Sequence, residues 1–522
     1  MKLIPQNYCP KIRHGYILCR APARGAGCAG LFFFLTLYSN SIPLIQMLEQ
    51  FGKYIVEVAD FLCGYPLFFL LIGGGIYLFL SSGFVSLRRL PAAIGELRKK
   101  NDARNGQISS VQALASVIAA TVGLGNIAGV AIALVTGGPG AIFWMWVSAL
   151  VGMATKYHEG VLAIMYKGRD DTGAPQGGPM HIITLGLGQR WKPLARFFAV
   201  AGLFGTLCIM NANQLTEAFI STFSTPEGIE SSSFLSSAGG LVGLSNDQTC
   251  RLLFGIAIAA VVSVVILGGI RRIANVASVM VPFMVGIYFV MVLYIILSHL
   301  GDVPAVFRNI FSEAFNLRAG FGALAGIAII GARRAALVND AGIGTASIMH
   351  GASRNNSPVR EGLIAMLGPA VDSGLVCTLT AVAIMLCVPD LAAIQGVKGL
   401  EVAVKAFGTG IPGGEYMLMF IVLCFALSSM FSYSFYGSTC ASYLFGSRRS
   451  RWYLYLFLAS LVVFAIVPIE AAVGMCDLFY ALMAFPTMLS ILLLSGRVRN
   501  ATRRFFGKDS ADGDGCPADK NE

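Results

Sequence analysis

The apolar stretch TVGLGNIAGV, residues 121–130, carries three glycines and an asparagine, which are unfavourable inside a membrane-spanning helix. A second stretch, NDAGIGTAS at 339–347, repeats its pattern of Gly-x-Gly followed by a small polar residue. A helix broken in mid-membrane frees backbone N–H and C=O groups, which are tolerated only where they line a cavity or bind a ligand. The N-terminus of a half-helix favours a carboxylate, whereas freed carbonyls suit a cation. The matched stretches therefore predict a site for an amino-acid carboxylate and sodium.

Two other interpretations of these glycines deserve weight. Gly125 and Gly129 have the Gly-x-x-x-Gly spacing that also marks close packing between helices. Two matched stretches in separate halves favour the binding site over packing alone. A dinucleotide-binding loop is disfavoured because the spacing is GxGxxxG, no strand–helix alternation surrounds it and no acidic residue follows at about 20 positions.

The composition predicts an all-α membrane protein embedded in a lipid bilayer. Of 522 residues, 56% are apolar and only 12% are charged, and the mean hydropathy is +0.71. The net charge of +11 comes from short runs of Lys and Arg between apolar segments. That pattern is typical of cytoplasmic loops, so no nucleic-acid partner is expected. About eleven segments are long enough to span a membrane: 66–86, 109–135, 138–166, 194–222, 251–270, 274–299, 318–348, 361–388, 416–445, 452–470 and 472–495.

The distribution of Lys and Arg predicts the orientation of these segments. The loop 87–108 holds six basic residues, whereas the loop 223–249 holds none. Placing the first inside and the second outside puts the N-terminus outside and the C-terminus in the cytoplasm. Lys398 and Lys405 then lie on the outside, which is a mild exception to the rule that basic residues concentrate in cytoplasmic loops.

Spans two to six and seven to eleven form two sets of five, and each set opens with one of the glycine-containing stretches. An odd number of spans per set makes the second set inverted relative to the first. The predicted organisation is an N-terminal extension at 1–46, an extra helix and cytoplasmic loop at 47–108, the first inverted repeat at 109–300, the second at 301–497, and a cytoplasmic tail at 498–522.

The N-terminal extension is basic and then apolar. It is either a signal peptide or a segment ahead of a translation start at Met47, and we prefer the second. The twelve cysteines contain no C-x-x-C pair and the five histidines are scattered, so neither a disulfide framework nor a metal site is expected.

Other polar residues within the spans are candidates for function or for ordinary bonding between helices. Asn211, Asn213 and Gln214 are equally open to both. Asp372 either couples protons or sodium or pairs with an arginine such as Arg334, and we prefer pairing. Lys156 and Glu159 lie near the inner end of a span, and we expect them to snorkel or to gate.

From about Met47 to about Arg497 the sequence resembles the alanine or glycine:cation symporter family, also called sodium:alanine symporters. The most specific stretch is TVGLGNIAGVAIALVTGGPGAIFWMWVSALVGMATKYHEGVLAIMYK at 121–167. Shorter similarities are QGGPMHII at 176–183, ARRAALVNDAGIGTASIMHGA at 332–352 and FALSSMFSYSFYG at 425–437. The resemblance implies the five-plus-five inverted-repeat amino-acid transporter fold with one extra N-terminal helix, located in the inner (plasma) membrane. It implies sodium-coupled uptake of small neutral amino acids, chiefly alanine and glycine, and no enzymatic activity or cofactor.

The resemblance also implies which residues bind. Substrate would be held at the two breaks and by one residue of the eighth core helix: Thr121, Gly123, Gly125, Asn126, Asn339, Asp340, Gly342, Gly344 and Tyr433. Sodium would be held by backbone carbonyls and two hydroxyls: Ala119, Val122, Phe425, Ser428 and Ser429. Oxygen ligands of this kind suit a hard cation, although such hydroxyls often only bond the preceding turn of their own helix.

The second half departs from the family pattern. The family's Ser-Asn-Glu is Val338-Asn339-Asp340 here, and its usual tryptophan is Tyr433. These changes leave open a shifted substrate, proton coupling, or an amino-acid sensor built on a transporter scaffold. The first break keeps the family pattern closely, which favours transport of amino acids.

Overall fold

The computed structural model describes residues 12–13, 16–17, 57–59, 61–62, 64–98, 107–223, 229–242, 244–315, 321–388, 399–467 and 469–508. The chain divides into two compact units, Met1–Tyr54 and Ile55–Glu522. The described part of the first unit is a pair of antiparallel two-residue strands, Ile12–Arg13 and Tyr16–Ile17. Most of the predicted extension at 1–46 lies outside the described residues.

Helices make up nearly all of the second unit, and its described strands are the short antiparallel pair Gly168–Arg169 and Pro175–Gln176. The helices up to the middle of the chain are Tyr65–Phe68, Phe69–Gly73, Gly74–Ser81, Val85–Arg88, Leu90–Glu96, Ser110–Thr121, Gly125–Gly129, Val130–Gly137, Gly140–Met165, Pro179–His181, Ile182–Leu187, Gln189–Trp191, Lys192–Gly205, Ile209–Phe223, Ser233–Val242, Asn246–Ile266 and Gly269–Ser298. The remaining helices are Val303–Ala314, Phe321–Val338, Thr345–Gly351, Pro358–Ala365, Leu367–Pro369, Ala370–Val376, Cys377–Cys387, Gly399–Gly410, Gly414–Phe445, Ser447–Phe464 and Ile469–Lys508.

Within the part of the chain that the structure describes, six helical stretches are long and apolar enough to cross a membrane, or seven if one bent pair counts as a single span. They are Gln189–Phe223, Asn246–Ile266, Gly269–Ser298, Pro358–Cys387, Gly414–Phe445 and Ala472–Gly507, with the bent pair Ser110–Thr121 and Gly125–Gly137. The protein is thus a multi-pass helical membrane protein, as the composition predicts. The other predicted spans are also largely helical, and the helical stretch Tyr65–Ser81 among them is apolar but shorter than the six.

The last helix is longer than the sequence predicts. It continues to Lys508, so the predicted tail boundary at 498 falls inside a helix. The polar residues 509–522 of that tail lie outside the described residues.

The site is built around the bent pair, which we call the first broken span. It begins at a capping box in which the Gln112 N–H donates to Ser109 Oγ at 3.2 Å and the Ser109 N–H donates to Gln112 Oε1 at 2.9 Å. Helix Gly414–Phe445 packs against its first half. Helix Gly140–Met165 packs against Phe321–Val338 and Pro358–Ala365, which brings the second glycine-containing stretch into the same core.

Candidate functional site

The first broken span bends by 54° between Thr121 and Gly125. Val122 leaves the helix with an extended backbone, ψ 97°. Asn126 bridges the break with two hydrogen bonds to Gly123. Its side-chain Oδ1 accepts the Gly123 N–H at 2.9 Å, and its backbone N–H donates to the Gly123 carbonyl at 3.1 Å. Asn126 therefore supports the break from within the protein.

The second break lies between Val338 and Thr345, where no helix forms. Backbone groups freed there find partners on other helices: the Gly342 N–H donates to Glu159 Oε1 at 2.6 Å. Asp340 has a φ of 52°, a conformation that few non-glycine residues adopt. Gly344 has a φ of 100°, and a Cβ there would lie 2.4 Å from Pro179 Cγ. This position therefore requires glycine for both its backbone conformation and its space.

A cavity of about 100 Å³ lies between the two breaks, and we call it the central pocket. Five predicted substrate residues contribute to its wall: Thr121, Gly123, Gly125, Asp340 and Tyr433. The other four are not among its lining residues: Asn126, Asn339, Gly342 and Gly344. The structure thus brings the two predicted halves of the site together and uses some of the polar residues to hold the breaks instead.

Asp340 and Tyr433 are joined by a chain of hydrogen bonds in the wall of the central pocket. The Tyr433 hydroxyl donates to Asp340 Oδ2 at 2.5 Å, and the Tyr480 hydroxyl donates to the Tyr433 oxygen at 2.7 Å. The Thr345 hydroxyl also donates to Asp340 Oδ2, at 3.3 Å. Tyr433, at the position where the resemblance leads us to expect a tryptophan, therefore supplies a donor to the buried carboxylate.

Several residues of the central pocket were not predicted as site residues. Arg334 interacts electrostatically with Asp477, and both contribute to the wall together with Tyr480. An ionisable residue within a span is itself a signal of function, and Asp477 in GMCDLFYAL could have been found by that criterion.

The predicted sodium ligands form a cluster of oxygen atoms at the end of the helix Ser110–Thr121. Ser428 Oγ donates to the carbonyls of Ala119 at 3.0 Å and Phe425 at 2.9 Å. Ser429 Oγ lies within 3.2 Å of the Ala119 carbonyl, 3.0 Å of the Ala120 carbonyl and 3.1 Å of the Phe425 carbonyl. Ala120 was not in the predicted set.

The carbonyls at the end of a helix have no partner within it, so the two hydroxyls reach across to satisfy them. Val122, the fifth predicted ligand, is buried, and its N–H donates to the Ile118 carbonyl at 2.7 Å. Ser429 also contributes to the wall of the central pocket, and a Cβ on Gly123 would lie 3.0 Å from its Oγ. The oxygen cluster and the pocket therefore share a boundary.

The polar residues of the helix Ile209–Phe223 divide into two roles. Asn213 Nδ2 donates to the carbonyls of Phe464 at 3.2 Å and Val467 at 2.5 Å, which is bonding between helices. Asn211 and Gln214 instead line the central pocket.

Two expectations for charged residues were wrong. Lys156 does not snorkel, because its side chain and that of Glu159 are fully buried in the core. Asp372 does not pair with Arg334: its Oδ1 accepts a hydrogen bond from Asn126 Nδ2. The structure thus connects Asp372 to the first break.

A larger cavity of about 640 Å³ adjoins the central pocket. Four residues belong to the walls of both: Ala128, Ile132, Gln214 and Val473. The larger cavity also reaches the helix Gly399–Gly410 through Leu400 and Glu401. It offers a route toward the pocket along the second half of the first broken span.

Comparison with known proteins matches residues 48–517 to the sodium:alanine symporter family. The chain is 35% identical to the sodium/alanine symporter AgcS of Methanococcus maripaludis, over 87% of this chain and 97% of AgcS. It is 36% identical to an uncharacterized transporter of Haemophilus influenzae, over 86% and 95% of the two chains. It is 30% identical to a probable sodium/glutamine symporter, GlnT of Bacillus subtilis, over 90% and 93%.

These matches confirm the resemblance carried by the sequence motifs. The family is one of symporters, which move solutes across membranes and are not enzymes. On the extent of the match and the identity to AgcS, the chain belongs to the sodium:alanine symporter family.

Proposed function

We propose that the protein couples sodium entry to the uptake of a small neutral amino acid, alanine or glycine, by alternating access. The observation that carries this proposal is the central pocket, which lies between two broken helices and shares Ser429 with the oxygen cluster. Its volume of about 100 Å³ is small beside the roughly 300–1,000 Å³ of pockets for drug-sized ligands. A pocket of that size favours a substrate with a short side chain.

The charges around the pocket support a zwitterionic substrate. Gly123 and Gly125 stand where the second half of the first broken span begins, and a helix N-terminus attracts a carboxylate. The Asp340 carboxylate, held by Tyr433, lies in the same wall and suits the substrate ammonium group. Asn339, Gly342 and Gly344 would shape the second break without touching the substrate.

We propose that sodium binds among the carbonyls of Ala119, Val122 and Phe425 and the hydroxyls of Ser428 and Ser429. The hydroxyls now donate to carbonyls, but a serine hydroxyl can rotate to present a lone pair to a cation. Four of these five residues supply oxygens that are already within hydrogen-bond distance of one another. The arrangement needs little movement to bind an ion.

The proposal includes an eleven-span architecture with two inverted sets of five, in the plasma membrane with the C-terminus inside. The two breaks at matching places support it, since such pairs mark the binding sites of transporters with inverted repeats. The repeats would cover 109–300 and 301–497, after an extra helix and loop at 47–108.

Uptake by purified protein in proteoliposomes tests the function. Labelled alanine, glycine and glutamine are offered under an imposed inward sodium gradient, with a potassium gradient of equal size as the control. We expect accumulation of alanine or glycine only with sodium. Binding without accumulation would instead identify a sensor, and accumulation of glutamine alone would refute the assignment of a small substrate.

A further inference from the structure

The central pocket and the larger cavity meet at four residues, and one of the four is polar. Ala128 and Ile132 come from the second half of the first broken span, and Val473 comes from the last helix. The fourth is Gln214 of the helix Ile209–Phe223. The boundary between the two cavities is therefore apolar except at the Gln214 amide.

The Gln214 amide has an unused hydrogen-bonding atom. The residue is half-buried, but its Oε1 is enclosed and has no hydrogen-bond partner among the described residues. Among the described residues that line the central pocket, no other side chain has an enclosed polar atom without a partner. An enclosed acceptor without a partner is unfavourable. A ligand that brings a donor to this atom therefore gains affinity that the rest of the wall does not offer.

The arrangement of the pocket leaves Gln214 to the side chain of the substrate. In the proposed function, Gly123 and Gly125 attract the substrate carboxylate, and Asp340 takes its ammonium group. These groups belong to the two breaks, whereas Gln214 belongs to a separate helix. A substrate held at both breaks turns its side chain toward the remaining wall, which includes Gln214.

A short side chain with a hydroxyl group matches this wall. The central pocket has a volume of about 100 Å³, so the donor must lie close to the α-carbon of the substrate. A hydroxyl both donates and accepts, so it bonds the amide in either orientation of the amide group. A methyl group in the same place would leave the Gln214 oxygen unpaired. For this reason, sites that hydrogen-bond a substrate hydroxyl reject the analogue that lacks it.

We propose that Gln214 determines the specificity of transport by accepting a hydrogen bond from a hydroxyl on the substrate side chain. Serine is then a preferred substrate, transported in addition to alanine and glycine. The hydroxyl donates to Gln214 Oε1, and the apolar side chains of Ala128, Ile132 and Val473 border the contact. The inference rests on the proposed symport function and identifies a side-chain chemistry that this function leaves open.

Uptake of serine and of α-aminobutyrate separates the effect of the hydroxyl from that of size. The two amino acids have the same shape and differ by a hydroxyl in place of a methyl group. Each is offered in labelled form to proteoliposomes under an inward sodium gradient, with alanine as the reference, and kcat/KM is measured. We expect the value for serine to exceed that for α-aminobutyrate by about tenfold or more in the unaltered protein.

Gln214→Met removes the amide and keeps a side chain of similar length. It should abolish the preference for serine over α-aminobutyrate through a rise in the KM for serine, whereas the KM for alanine should not rise. Gln189→Met is the matched control, because it is the same substitution at an exposed residue that lines neither cavity. It should keep the preference for serine.

The possible results separate this proposal from the symport function. Sodium-driven uptake of alanine with no preference for serine over α-aminobutyrate overturns the role of Gln214 and leaves symport standing. A preference that persists in Gln214→Met, or that is lost in Asn211→Leu instead, also overturns that role, since Asn211 is the other amide in the wall. Absence of sodium-driven uptake of every small neutral amino acid overturns both. If Gln214→Met does not fold, Gln214→Ala must lose the preference, and its retention there refutes the proposal.

Discussion

Replacing Ser429 by alanine is expected to weaken sodium activation of transport while leaving the fold intact. The change removes one hydroxyl that meets the carbonyls of both Ala119 and Ala120. Loss of one polar contact to a charged partner costs roughly 1.5–3 kcal/mol. That range corresponds to roughly a tenfold to hundredfold rise in the sodium concentration for half-maximal uptake.

Ser428→Ala should have the smaller effect, because Ser428 makes one contact across to the first broken span, at 3.0 Å to the Ala119 carbonyl. The double variant should cost less than the sum of the single changes, since both hydroxyls share that carbonyl. This non-additivity would show that the two hydroxyls affect the sodium requirement as one cluster.

The assay is initial uptake of labelled alanine in proteoliposomes as sodium is varied at constant ionic strength and potential. Ser434→Ala is the matched control: it is the same substitution on the same helix, buried, but its hydroxyl bonds only the Phe431 carbonyl of its own helix at 2.7 Å. An unchanged sodium requirement in the double variant, or an equal shift in Ser434→Ala, would refute the reasoning.

Three further changes test other parts of the structure. Tyr433→Phe removes the donor to Asp340 and should lower substrate affinity about tenfold or more, as measured by saturation of uptake. Tyr436→Phe is the control and should leave the affinity unchanged, because the Tyr436 hydroxyl is buried without a partner among the described residues. Gly344→Ala should abolish folded yield on size-exclusion chromatography, and Gly188→Ala, with a φ of 101° but open space, should reduce it far less. Burial lowers the pKa of His181 from 6.5 to about 4, so its neutral form is favoured in the fold. Thermal stability should therefore be full above about pH 6.5 and fall toward pH 4, by on the order of 3 kcal/mol, and a His181→Gln variant that fell equally would contradict this.

The sequence predicted the two breaks because a break is a local backbone event. Glycines at 123, 125, 342 and 344 signal it directly. The identity of the pocket's far wall could not be predicted in the same way. Asp477 and Tyr480 come from the last helix, and their approach to the pocket depends on packing between distant segments. Local pattern carries no information on such contacts.

The role of each polar residue was harder to predict than its importance. Asn126 carries a family signature, yet its side chain bonds the Gly123 N–H and Asp372 and does not line the pocket. Lys156 was expected to snorkel or gate at the inner end of a span, but its side chain lies buried in the core. The hydrogen-bond partner of a buried polar group depends on the tertiary structure, so it cannot be predicted from local patterns in a single sequence.

The shared boundary at Ser429 has a thermodynamic consequence. The Ser429 side chain belongs both to the wall of the central pocket and to the oxygen cluster, and Gly123 lies against it. A cation held there would change the free energy of binding in the pocket, and the amino acid would change that of the cation by the same amount. The coupling fixes no order of binding by itself. Which ligand binds first would depend on its concentration relative to its own dissociation constant, so a change in the sodium or amino-acid content of the medium could reverse the order.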